Sequence, residues 1–207
     1  MASLFTYRKF YDTPLRFFPL FIAYTFFNEL LGYFILEFEE FSFFEDEAYH
    51  WHNIIIYNIY QIIFFFYLFW VYNKLLPKHV HQHIIKISAL VYTLSVVISL
   101  CFQDPFHSSL FYADSLGCLA ILLIIGLHTD KVTNGFSTAA NRYNLMVWFN
   151  LGMVLFHLYF PLYILMGYLN VGFYLNYHLR PILWVVISIM YLLFTIGFII
   201  CRRRAFR

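Results

Sequence analysis

PILWVVISIMYLLFTIGFIICRRR, residues 181–204, decides the fold. No charged side chain occurs from Pro181 to Cys201, and three arginines then follow at once. A run of about 20 apolar residues is what a helix rising 1.5 Å per residue needs to cross a hydrocarbon core of about 30 Å. Core helices of water-soluble proteins seldom run so long and so apolar. Arg202, Arg203 and Arg204 are the usual stop after a last span, placed to meet anionic lipid head groups.

Outward from this stretch the pattern recurs. Comparable apolar runs cover 17–37, 54–76, 84–102, 109–129 and 145–168, so six spans are expected in all. Only Gln103 to Ser108, with Pro105 among them, separates the third span from the fourth, which predicts a tight hairpin of helices. The composition agrees, with 62% hydrophobic and 12% charged residues. A water-soluble domain carries about 25% charged residues, so this chain lacks the polar surface to cover a globule of its length. The expectation is one all-α integral membrane domain over residues 1–207, a polytopic helical bundle with both termini in the cytoplasm. Arg8, Lys9 and Arg16 imitate a basic leader. The run that follows them is too long for a signal core, contains Asn28 and Glu29, and ends in acidic residues, so it is expected to be a retained span.

Orientation follows from the positive-inside rule. With a cytoplasmic N-terminus, every basic residue except Arg180 falls on the inner side. Those are Arg8, Lys9, Arg16, Lys74, Lys78, Lys86, Lys131, Arg142, the three arginines after the last span, and Arg207. A wrong span count would scramble this asymmetry. The outer loop EFEEFSFFEDEAYHWHN interleaves carboxylates with aromatic rings and is expected to lie along the interface as a short amphipathic helix. Trp51, Trp70, Trp148 and Trp184 fall near span ends, as interfacial anchors do. Cys101, Cys118 and Cys201 lack the paired spacing of a disulfide framework or a CxxC metal site.

Glu29 is the most informative residue. A charge near mid-span costs roughly 3 kcal/mol even on lenient insertion scales and marks a functional position by default. Thr25, Asn28, Glu29 and Gly32 share one helix face by their spacing. Counting from span ends puts Glu29 about 12 Å deep and Gln61 about 10 Å deep, at 1.5 Å per residue. Ser95, Ser188 and His157 come out in the same outer half, and Asp114 is shallower. Asn28, Glu29, Asn58, Gln61, Asp114 and His157 are therefore the candidate ligand-binding or gating residues, lining an outward-opening polar pocket. The alternative for such residues is plain interhelical hydrogen bonding.

Other constellations are weaker. His79, His81 and His83 offer one i, i+4 pair without a third ligand nearby and read as a solvated basic turn. His50 and His52 flank Trp51. Of His107, His128, His157 and His178 only His157 lies clearly at mid-membrane, which argues against haem and its facing axial pairs. No catalytic motif, metal site or cofactor is expected, and the chain is not expected to be an enzyme or to bind nucleic acid. Pro161 should kink the fifth span.

FNELLGYF (27–34), NIYQIIFFFYLFWVY (58–72) and YNLMVWFNLGMVLFHLYF (143–160) resemble small six-span inner-membrane proteins of Bacteroidota-type bacteria. That resemblance implies the inner (plasma) membrane as location. Some proteins of this kind look like input modules of signalling systems, and others resemble accessory proteins encoded beside phage-defence genes. Three functions follow as expectations. The first is a membrane sensor or accessory subunit that signals to a cytoplasmic partner. The second is an oligomeric ion channel or pore-forming effector, and the third a proton-coupled small-solute transporter. The bilayer, a homo-oligomer and a cytoplasmic signalling or effector protein are the partners these readings entail.

Overall fold

A computed structural model describes residues 2–44, 52–76, 78–135 and 143–201, with side chains omitted for 130–135. Among the described residues there is no strand. The helices are α1 (Ala2–Phe5), α2 (Phe18–Glu37), α3 (Ile54–Leu75), α4 (His79–Phe102), α5 (Phe111–Gly135), α6 (Leu145–Leu169), α7 (Val171–Asn176) and α8 (Leu179–Ile200). Six of them are long and apolar enough to cross a membrane, α5 through its Phe111–Thr129 portion. The chain is a multi-pass membrane protein with an all-α six-span bundle. An even number of spans returns both termini to one face, called here the N-terminal face.

Helix ends lie within two residues of the expected span ends except at α4, which begins at His79 and not at 84, and at α5, which runs on past 129 to Gly135. The histidines of the basic turn thus form the first turns of a helix. The His79 and His83 rings stand 6.4 Å apart on its exposed side. The outer loop differs as well: its described part is a 3-10 turn over Glu39–Phe41, where an amphipathic α-helix was expected. Phe41 packs 5.4 Å from Phe34, which folds the loop back on the end of α2. Glu45 to Trp51, including His50, and the arginines after α8 lie outside the described residues.

Packing centres on α6 and α8. Gly152 of α6 seats Phe194, and Gly197 of α8 seats Trp148. A Cβ at Gly152 would come within 2.8 Å of the Phe194 ring, and one at Gly197 within 2.8 Å of the Trp148 Cβ. Phe149 and Phe194 stack at 4.9 Å in the gap so made. Without a hydrophobic drive between helices in lipid, this close approach is what binds them. Phe18, at the start of α2, meets Phe149, Phe194 and Phe198 with its ring. The N-terminal segment closes this end. Phe10 is fully buried against Phe198, and the Lys9 ammonium donates to the Ile199 carbonyl at 3.0 Å. That bond satisfies one of the carbonyls the last turn of α8 leaves open.

At the opposite face, Asn58 ties the α4–α5 connection to α3. Its amide donates to the carbonyls of Pro105 and Ser108 and accepts from the Leu110 N–H. One side chain thereby satisfies three backbone groups where the tight hairpin turns. Glycine-to-valine substitution at 152 forces Cγ atoms onto Phe194 and the Met190 backbone carbonyl. Overpacking of this kind costs about 1–3 kcal/mol. Unfolding of Gly152→Val in mixed micelles is expected at correspondingly lower denaturant, whereas Gly126→Val, whose Cβ meets nothing within 4 Å, should unfold like the wild type.

Candidate functional site

Hydroxyl groups from three helices converge beside the carboxylate of α2. The Tyr57 hydroxyl donates to Glu29 Oε2 at 3.1 Å. One turn toward the N-terminal face, Thr25 gives its own proton to the Phe21 carbonyl at 3.0 Å. Its oxygen is therefore the acceptor in the 3.0 Å contact with the Tyr60 hydroxyl. Tyr191 of α8 comes up to Thr25 and lies within electrostatic reach of Glu29 and Tyr60. Arg180, which begins the exposed side of α8, lies within reach of Tyr57 and of Tyr163 on α6.

The helical spacings explain the convergence. Tyr57, Tyr60, Phe64 and Tyr67 share one side of α3, which turns to α2. Phe21 stacks on Tyr67 at 4.7 Å and Tyr24 on Tyr60 at 5.6 Å. Arg180, Ile187 and Tyr191 share one side of α8. Near the N-terminal face the gap between α2 and α8 is filled by Phe18 and its three aromatic neighbours. Beyond Glu29, the hydrogen bonds and ring contacts of α2 run to α3 and to the following loop, as when Asn53 donates to the Gly32 carbonyl at 2.9 Å. Past Thr25, no hydrogen bond or ring contact among the described residues joins α2 to α8, from which we infer a cleft between them, beside Tyr57 and Tyr60 of α3 and toward the face opposite the termini. Glu29 is exposed on α2 at this level.

The expected pocket residues divide among separate places. Glu29 sits in this cleft, and Asn28 is buried in the α2 face beside it. Gln61 is half-buried one turn beyond Tyr57. Asn58 is engaged with the α4–α5 connection. Ser95 donates to the Tyr92 carbonyl and Ser188 to the Trp184 carbonyl, each within its own helix. Asp114 is buried on α5 near Tyr92 and Cys118.

His157 is fully buried in a ring cluster, stacked on Phe64 at 5.8 Å and set edge-on to Phe65 and Phe156. A carbonyl only accepts, so His157 Nδ1 carries the proton it shares with Met153 O at 2.8 Å. The Phe21 and Phe64 rings, 5.6 Å apart, stand between His157 and the cleft. Glu29 and His157 accordingly do not form one pocket: equal depth fixes height along a helix but not the direction a side chain takes around it.

A second polar cluster was not anticipated from the sequence. Toward the N-terminal face, the buried Tyr72 hydroxyl donates to Asn150 Oδ1 at 2.8 Å. The Asn150 amide contacts His128 Nδ1 at 3.0 Å, joining α3, α5 and α6. Because the amide nitrogen only donates, Nδ1 accepts, and a neutral ring carries its proton on Nε2. The signal available was Asn150 itself, an amide in the first third of an apolar span. Among the described residues no group of three His, Cys, Asp or Glu side chains could hold a metal ion. Comparison with family models, curated proteins and solved structures found no match to this chain.

Two outcomes follow. Interhelical hydrogen bonds in membranes average about 0.6 kcal/mol. A Tyr72→Phe and Asn150→Leu double-mutant cycle is expected to return a coupling of that size, read from unfolding in micelles. In the α4–α5 connection, the Phe106 N–H and then His107, whose Nδ1 lies 2.6 Å from the carboxylate, hold Asp104 below the usual carboxylate range. A lowered carboxyl stabilises above its unfolded value and loses that contribution as pH falls through the folded one. Amide exchange over 103–110, corrected for its intrinsic pH dependence, should therefore accelerate only below about pH 4. Asp104→Asn should abolish that step.

Proposed function

We propose that the protein is a sensor or accessory subunit of the cell's inner membrane, with N-terminus and C-terminal tail in the cytoplasm. Its outward cleft takes up a small ligand at Glu29, and the helices pass the change to a cytoplasmic partner. The single observation that carries this reading is that the two helices bounding the cleft also hold the opposite end of the molecule. At one end α2 and α8 present Glu29 and Tyr191. At the other, Phe18 of α2 and Phe198 of α8 pack together, and Phe198 and Ile199 receive Phe10 and Lys9 of the N-terminal segment. A ligand that draws α2 and α8 together in the outer half must tilt them about the Phe18 cluster and shift the seat of that segment. The positive-inside distribution supports the orientation, and the short connections leave the bundle itself as the signalling element.

Within one protomer, the space between α3, α5 and α6 is filled by Phe65, Ile121, Met153 and His157, all 0% or 1% exposed. That packing favours sensing over conduction through the protomer. The test is ion flux from liposomes holding the purified protein, wild type against Glu29→Gln across a range of pH. Flux no greater than from protein-free liposomes is expected for both. Flux that depends on Glu29 would overturn the sensing reading in favour of a channel or transporter.

A further inference from the structure

The hydrogen-bond inventory of the cleft identifies the class of ligand it takes. Thr25 spends its only proton on the Phe21 carbonyl. Tyr60 spends its proton on Thr25, and Tyr57 spends its own on Glu29. A hydroxyl has one donor and two acceptor lone pairs, and a carboxylate only accepts. With these protons committed, lone pairs remain on the Tyr57, Tyr60 and Tyr191 oxygens and on both Glu29 oxygens. Among the described residues, the one side-chain ion pair is that of Asp104 and His107 in the α4–α5 connection, so no cationic side chain is bonded to Glu29. The cluster is rich in acceptors and negatively charged, with the Tyr191 hydroxyl as its one donor not already committed, about 12 Å into a span by helix rise.

We infer that the oxygen cluster of Glu29, Thr25, Tyr57, Tyr60 and Tyr191 is a binding site for a singly charged cation, an alkali ion or a primary ammonium group. This rests on the ligand-sensing reading and gives its ligand. Hydroxyl and carboxylate oxygens are hard ligands suited to hard cations, and the absence of imidazole and thiolate excludes the softer transition metals. Charge sets the valence. One carboxylate neutralises one positive charge, whereas a divalent ion would leave a net charge at a depth where each uncompensated charge costs roughly 3 kcal/mol. The cation bridges the helices, since Glu29 and Thr25 belong to α2, Tyr57 and Tyr60 to α3, and Tyr191 to α8. Arg180 at the mouth sets a limit on the occupant, because its charge repels a second cation while leaving room for an anionic group carried on the same molecule as an ammonium.

The experiment is thermal unfolding of the full chain in nanodiscs of zwitterionic lipid, at constant ionic strength. Sodium, potassium and methylammonium chlorides are compared with N-methylglucamine chloride, whose cation is too large to enter. The wild type is expected to show a saturable rise in Tm with at least one of the first three, and which one separates the alkali ion from the ammonium. Glu29→Gln should lose the rise, and Thr25→Val should shift its midpoint at least tenfold to higher concentration. Tyr57→Phe, which keeps the ring, provides a check if Glu29→Gln does not fold. An identical Tm in all four salts, an undiminished rise in Glu29→Gln, or a response to calcium alone would overturn the assignment. The sensing reading is judged separately by flux in liposomes. No cation effect without flux removes the cation alone, and a cation effect with Glu29-dependent flux removes sensing and keeps the site.

Discussion

The contact of α6 with α8 through Gly152 and Gly197 is the interaction on which the other placements depend. In lipid, two apolar helices gain nothing by hiding from solvent, so they associate where backbones come close enough for dense packing. Each glycine removes a side chain that would collide with Phe194 or Trp148 of the partner helix, and Phe149 and Phe194 stack where the helices meet. The pair so formed sets the azimuth of everything else. It turns Asn150 toward Tyr72 and His128, buries His157 beneath Phe64, and aims Arg180 and Tyr191 at the side where α2 leans.

That lean is uneven. Phe18 fixes the start of α2 to the α6–α8 pair with aromatic contacts, while its outer half is held to α3 by hydrogen bonds from Asn53 and Tyr57. A wedge-shaped gap results between α2 and α8, closed toward the N-terminal face and open at the other. Charged and hydroxyl groups collect where the gap admits them. The same geometry joins the gap mechanically to the N-terminal segment, which rests on the far ends of the helices that bound it.

The six spans were legible in the sequence because a membrane imposes a length, and Pro181 to Cys201 meets it without a single charge. Glu29 and Thr25 were legible for the same reason, as polar groups on one face at a costly depth. Their partners were not. Tyr57, Tyr60 and Tyr191 are three among 18 tyrosines in a chain that is 24% aromatic, and a tyrosine near a span end has an ordinary role as an anchor. Depth arithmetic placed Gln61 and His157 near Glu29, and the pocket reading joined Asn58 and the shallower Asp114 to them, because it counts rise and ignores rotation. Asn58 instead turns to the backbone of a loop, and His157 to phenyl rings. The first turns of α4 were hidden by the polarity of HVHQH, which lowers apolar character without breaking a helix.

The most direct measurement of the central claim, that Glu29 shares one cleft with the α3 and α8 tyrosines, is thiol cross-linking in membranes. The reagent is a bifunctional methanethiosulfonate about 8–10 Å long, since a hydroxyl contact made by a tyrosine tip leaves the Cα atoms too far apart for a direct disulfide. Cys101, Cys118 and Cys201 would first be replaced, and cysteine pairs then introduced at Thr25 with Tyr191 and at Glu29 with Asp114. The account predicts an efficient bridge between 25 and 191 and none between 29 and 114. A bridge between 29 and 114, with none between 25 and 191, would contradict it.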